Sequence, residues 1–157
     1  QDISGNWSAI SNNARATTED DIPPSRIIDL IAIGDQTGPG RAELHWTTPV
    51  DDQVQETLLA YDIRWRVGEP VTDANWNSPL TLLMAVPPVP APPGSVESHM
   101  LTGVPRDAQV YFGIRASDSD GNWSQVSNSP VATTMAEDPE RVTEMAAIWE
   151  KRWGKKK

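Results

Sequence analysis

The chain of 157 residues contains no cysteine, which excludes disulfide staples and thiolate metal sites. Its two histidines, His45 and His99, leave little material for an imidazole metal centre. Positive charge is also scarce: 13 Lys and Arg stand against 22 Asp and Glu, for a net charge of −9. That balance argues against sequence-independent nucleic-acid binding, which needs a basic face to neutralise phosphates. No apolar run approaches the roughly 20 residues that span a bilayer. No basic, then apolar, then small-residue pattern opens the chain, so it reads as soluble as given. Signatures of nucleophile elbows, phosphate loops and metal-binding helices are missing too. The expectation is a protein with no catalytic residues, no cofactor and no small-molecule substrate.

What is present begins with a repeat. Residues 2–18 match residues 118–134 without gaps at an offset of 116. Ten of the seventeen positions are identical, beginning with Asp2, Gly5, Asn6, Trp7 and Ser8 and continuing with Ser11, Asn12, Ala16, Thr17 and Thr18. Residues 1–18 therefore read as the tail, the last strand, of a preceding module whose body is missing. Residues 19–22 are an acidic linker, and a full module follows over 23–134.

Within that module, short runs alternate apolar and polar residues with period two. The pattern predicts strands over 27–33, 41–46, 60–66, 80–86, 96–101, 110–116 and 124–134. Leu44 and Trp46 share one face of the second strand, and Tyr61, Ile63 and Trp65 one face of the third. With Phe112, Ile114 and Val131 they form the expected core. Seven short strands with turn signals between them indicate an all-β sandwich. Residues 87–93, Pro-Pro-Val-Pro-Ala-Pro-Pro, should be a stiff polyproline connection.

The tail differs in kind. Asp138-Pro139-Glu140 is a helix start, and Val142, Met145, Trp149 and Trp153 follow at helical spacing. Residues 138–154 are thus expected to form an amphipathic α-helix with a basic end. Its apolar stripe needs a support: the sandwich itself, another chain, or a membrane surface reached with the help of the lysines.

These residues resemble a fibronectin type III module. The resemblance covers 112 of the 157 residues, Pro23 to Thr134. It rests on Leu44-His-Trp46 for the second strand, Tyr61-Asp-Ile-Arg-Trp65 for the third and Phe112-Gly-Ile-Arg-Ala116 for the sixth. Asp118-Ser-Asp-Gly-Asn-Trp-Ser124 supplies the following turn. The wording is similar to modules of bacterial surface and secreted proteins, which implies an extracellular, periplasmic or cell-surface location. Two departures stand out. Val110 replaces the tyrosine usual at the start of the sixth strand, and the stretch 70–94 is longer than a minimal module needs.

Three groups carry candidate chemistry. Asp118, Asp120 and Asn122 have the spacing of the first half of a calcium loop, and remain candidate metal ligands. The competing reading is a hairpin turn, because Trp123 stands where that loop needs glycine. Glu43, His45, Glu97 and His99 lie on strands expected to be neighbours. Asn6-Trp7-Ser8 and Asn122-Trp123-Ser124 both fit a glycosylation pattern, whose identical placement points to the repeat itself.

The resulting expectation is a non-catalytic structural or binding module that makes protein–protein contacts in an extracellular or cell-surface assembly. Its alternatives are an accessory subunit of a larger, membrane-associated complex and an accessory domain of a carbohydrate-active enzyme. Partner contacts are assigned to the two ends, through Trp7, Ile10, Val142, Met145, Trp149 and Trp153, because tryptophans and apolar stripes left bare are favoured interface anchors.

Overall fold

A computed structural model describes residues 1–10, 20–35, 37–51 and 58–137, and beyond these only Thr143, Ile148, Lys151 and Arg152. Seven strands are found among the described residues: β1 Ile31–Gly34, β2 Arg41–Thr47, β3 Ala60–Val67, β4 Leu82–Leu83, β5 Val96–Thr102, β6 Gln109–Ser117 and β7 Val131–Thr133. They form two antiparallel sheets, ordered β1-β2-β5 and β4-β3-β6-β7.

The alternation read from the sequence places the core. Ala42, Leu44 and Trp46 of β2 face Tyr61 and Ile63 of β3 and Val110, Phe112, Ile114 and Ala116 of β6 across the two sheets. Trp46 and Tyr61 meet edge to face with ring centroids 5.4 Å apart. Trp65 is only half-buried and packs against the rim of this core.

Val131 is not in the core: it is 44% exposed, and its neighbour Ala132 is buried instead. The cause lies just upstream. The strand expected over 124–134 becomes a regular ladder only at Val131–Thr133, because Pro130 has no N–H to give. Before it, serines take over the pairing. Ser124 accepts the Ala116 N–H on its hydroxyl at 3.0 Å, and Ser127 accepts that of Ile114 at 3.1 Å. The Pro130 carbonyl accepts the Phe112 N–H. Period two does not survive such a stretch, so the side-chain phase slips by one.

The first expected strand is shortened for a similar reason. Only Ile31–Gly34 pairs with β2, while the Asn128 amide bonds both the N–H and the carbonyl of Leu30. Ile27 and Leu30 are thereby fixed as buried residues outside any ladder. At the other end of β1, a Cβ on Gly34 would lie 2.0 Å from the Thr133 carbonyl oxygen. The close approach of β1 and β7 closes one side of the sandwich and requires glycine there.

On the opposite edge, the strand expected over 80–86 pairs only through Leu82 and Leu83. The loop before it folds over the outer face of the four-stranded sheet. Val71, Trp76 and Val126 form a second small core there, with Tyr111 packed against it. Trp76 lies between the guanidinium groups of Arg64 and Arg115, at 4.6 and 4.8 Å from its ring centroid. Gly113 makes room, since a Cβ on it would meet Val71 at 2.9 Å. This explains the extra length of the 70–94 stretch: much of it is a lid on the sheet. Arg66 is buried under the lid, bonded to Glu69 and Thr81.

The helix expected over 138–154 falls almost wholly outside the described residues. Its described positions, Thr143, Ile148, Lys151 and Arg152, are each in helical conformation, but no helical element is delimited among the described residues. No described helix is long and apolar enough to cross a membrane.

Candidate functional site

The turn after β6 is built by one carboxylate. Asp118 Oδ1 accepts the N–H groups of Asp120 and Asn122 at 2.9 and 2.8 Å, and Oδ2 accepts the Asn122 amide at 2.8 Å. Gly121, at φ +92°, provides the left-handed residue. Burial works to push the Asp118 carboxyl up, but the hydrogen bonds from Asn122, Gly121 and Asp120 outweigh it. The carboxyl is held below the usual carboxylate range.

Asp118, Asp120 and Asn122 do not converge as a ligand set. Asp120 is exposed and joins the turn through its N–H. The Asn122 amide points its donors at Asp118 and at the Asp20 carbonyl, the latter at 3.0 Å. What approaches Asp118 is a different pair: the carboxylates of Asp20, from the linker, and Asp51, from the loop after β2. Ligand oxygens of the three lie within 4.8 Å of one another. Carboxylates so placed are hard donors of the kind calcium takes, yet three fall short of its usual six to eight oxygens. Both Asp118 oxygens are also engaged within the turn. Spacing along the chain did not foretell this trio, because its members come from three separate loops.

The N-terminal segment reproduces the same turn. Asp2 Oδ1 accepts the N–H groups of Ser4 and Asn6, each at 2.9 Å, and the Asn6 amide donates to Oδ2 at 3.0 Å. Bonds from the Asn6 side chain, then its backbone, hold the Asp2 carboxyl low. Gly5 sits at φ +84°. Every residue from 1 to 10 is exposed, including Trp7 at 78% and Ile10 at 92%. Val142, Met145, Trp149 and Trp153 lie outside the described residues.

The two histidines are separated by the sheet. Leu44 pairs with His99 and Trp46 with Glu97, so His99 and Glu97 follow the inner face, whereas Glu43 and His45 pair with Met100 and Ser98 on the outer one. The four do not form one cluster. Glu97 instead anchors an internal network: its Oε1 accepts from the Thr48 hydroxyl at 2.5 Å, the Tyr61 hydroxyl at 2.6 Å and the Ala91 N–H at 3.2 Å.

Sequence reasoning also missed the apolar edge beside β4. Leu80, Leu82, Leu83, Val86 and Val89 are all exposed there. At Leu80 and Leu82 there is a groove of about 280 Å³, lined also by Arg66, Val67, Glu69 and Pro79. The prolines around this run were the available signal, since they forbid the long strand that would have covered it.

Two antiparallel sheets of three and four strands, closed over a Trp46–Tyr61–Phe112 core, define a fibronectin type III-like module. No family model matches the chain, and no curated protein does. Among solved structures it is similar to domains A168–A170 of titin, with TM-score 0.49 and 13% identity over 72% of this chain and 32% of that one. It is similar to FN3tt, with TM-score 0.44 and 12% identity over 72% and 96% of the two chains. A titin module, A71 from human cardiac muscle, gives TM-score 0.41 and 15% identity over 69% and 86%. The chain thus spans about a third of the three-domain titin segment. These likenesses concern the fold and carry no function across.

Proposed function

We propose that this chain is a non-catalytic structural and binding module of an extracellular, periplasmic or cell-surface assembly, meeting neighbouring modules and protein partners through its surface. The observation that carries this reading is the N-terminal segment, which keeps a formed turn while every residue from 1 to 10, Trp7 and Ile10 among them, stays exposed. A tryptophan held clear of the sandwich adds nothing to its core and is well placed as an anchor for a partner. The C-terminal stripe of Val142, Met145, Trp149 and Trp153 is assigned the same role from its sequence.

The test is two separate deletions, of residues 1–18 and of residues 138–157. Both shortened chains should keep the melting temperature of the full chain while its association, followed by sedimentation over a concentration series, weakens. A large loss of monomer stability with association unchanged would mean that both ends serve their own sandwich, and the proposal would fail.

A further inference from the structure

The four-stranded sheet ends at β4, which pairs with β3 through Leu82 and Leu83 and has no described strand on its far side. The Met84 N–H donates to the Ile63 carbonyl at 2.8 Å. In an antiparallel ladder this makes Arg64 and Leu83 a pair that exchanges no hydrogen bonds. The N–H and C=O of Leu83 therefore point away from β3, out at the open edge. Its side chain is 60% exposed, and Leu80, Leu82, Val86 and Val89 are exposed with it. Sheet edges are usually guarded by charged side chains. Here that guard is absent: residues 74–96 carry no charged side chain, in a chain whose net charge is −9.

The open edge is also narrow. Pro79 and Pro87 stand on either side of it and have no N–H to give to a ladder. The Thr81 N–H is taken by the Ser78 carbonyl at 2.9 Å. Leu83 is thus the residue of β4 that presents both backbone groups outward. A long strand from an unrelated protein would gain little from so short a window. A strand of the same length, bounded in the same way, fits it.

We infer that this edge is a self-association surface, and that the partner it fits is a second copy of this chain, with the two β4 strands antiparallel about a two-fold axis at Leu83. In that register the two Leu83 residues exchange a pair of N–H···O=C bonds. Leu82 of each copy then lies opposite Met84 of the other, so the cross-strand pairs are all apolar. Such a contact uses the same patch twice, as a closed two-fold dimer requires. Charge points the same way. A chain at −9 repels its own kind, and an uncharged band is where two copies can touch without setting carboxylates against each other. The charged residues lining the adjoining groove, Arg66 and Glu69, are bonded to one another. The inference goes beyond the reading above, which puts partner contacts at the two ends, and uses neither end.

On a two-fold axis, position 83 meets itself, so a charge of either sign placed there meets its like. The experiment takes the full chain with Leu83→Asp and with Leu83→Lys, each alone and mixed in equal amounts, through sedimentation over a concentration series beside the parent. The parent should dimerise. Each variant alone should dissociate at least about tenfold more readily, and the mixture should recover association. Leu83→Pro removes only the outward N–H, at an edge position that tolerates proline, and should weaken the dimer by about tenfold or more. All three variants should melt within about 5 °C of the parent, because Leu83 is exposed and does not bond β3. A monomeric parent, variants that dimerise as tightly as the parent, or a mixture no stronger than its components would overturn the inference. Association lost on deleting an end but unchanged by substitution at Leu83 would sink this dimer and leave the proposed role of the ends standing. The opposite pattern would sink the role of the ends and leave the dimer.

Discussion

Replacing Tyr61 with phenylalanine removes one hydroxyl from the interior and leaves the packing of the ring intact. The hydroxyl donates to Glu97 Oε1 at 2.6 Å, next to the Thr48 donor at 2.5 Å. The ring is 2% exposed and stands edge-on to Trp46. A hydrogen bond to a charged acceptor contributes about 1.5–3 kcal/mol, and Glu97 keeps two other donors, so Tyr61→Phe should cost about 1.5 kcal/mol at pH 7. The pH dependence is the sharper part of the test. Burial first, and then the bond to Glu97, push the phenol well above its ordinary value near 10. Above pH 10 the unfolded chain loses this proton and the folded chain keeps it. The folded state then binds more protons, and stability must fall as pH rises, with a limiting slope of about 1.4 kcal/mol per pH unit. Below pH 10 the contribution is fully present. Urea unfolding followed by tryptophan fluorescence at pH 7, 10 and 11 should therefore show the two proteins converging as pH rises. Lysine titration affects both equally and drops out of the difference. Parallel curves, or a difference below about 0.5 kcal/mol at pH 7, would refute the network.

Phe112→Ala removes the aromatic at the centre of the core, where the side chain is fully buried, and should cost roughly 3–5 kcal/mol in urea unfolding; less than about 1 kcal/mol would mean that β6 is misassigned. Gly34→Ala places a methyl against the Thr133 carbonyl, a backbone contact that cannot swing away, and should cost about 1–3 kcal/mol by the same assay. An unchanged midpoint there would show that β1 and β7 do not approach as described. Asp118→Ala should lower the melting temperature by a few degrees at neutral pH. Because hydrogen bonds hold the native Asp118 carboxyl low, its contribution is present above the ordinary carboxylate range and lost as pH falls through the folded value. The difference between parent and variant should therefore shrink in acid, and a constant difference would count against the turn.

The strands that could be read from the sequence are those held by regular ladders. β2, β3, β5 and β6 were placed to within a residue or two because each pairs along its length and turns alternate side chains inward. The edges were harder. β1, β4 and β7 are short, and the chain beside them is fastened by Asn128, by serine hydroxyls or by proline-bounded turns, none of which leaves a period-two trace. The Val131 assignment failed at such a place. The turn at Asp118 was legible as a turn, from Asp, Gly and Asn at their spacing. The approach of Asp20 and Asp51 to it was not, because loop geometry far apart in sequence decides it. The lid over the outer sheet was also hidden. Its residues announce length and polarity, but not that Trp76 will lie between two arginines.

The serines at 124, 127 and 129 have a bearing on how such a module finds its pairing. An ordinary edge strand offers identical backbone groups at every second residue, so it can slide by two and still make a ladder. Here the hydroxyls of Ser124 and Ser127 meet the amides of Ala116 and Ile114, and that of Ser129 meets the Phe112 carbonyl at 2.9 Å. Three marks at unequal intervals match three others in one alignment only. A slipped strand would leave those groups dry and unanswered, at about 1–3 kcal/mol apiece. The spacing works as a vernier: it rejects a strand that is right in kind but wrong in position.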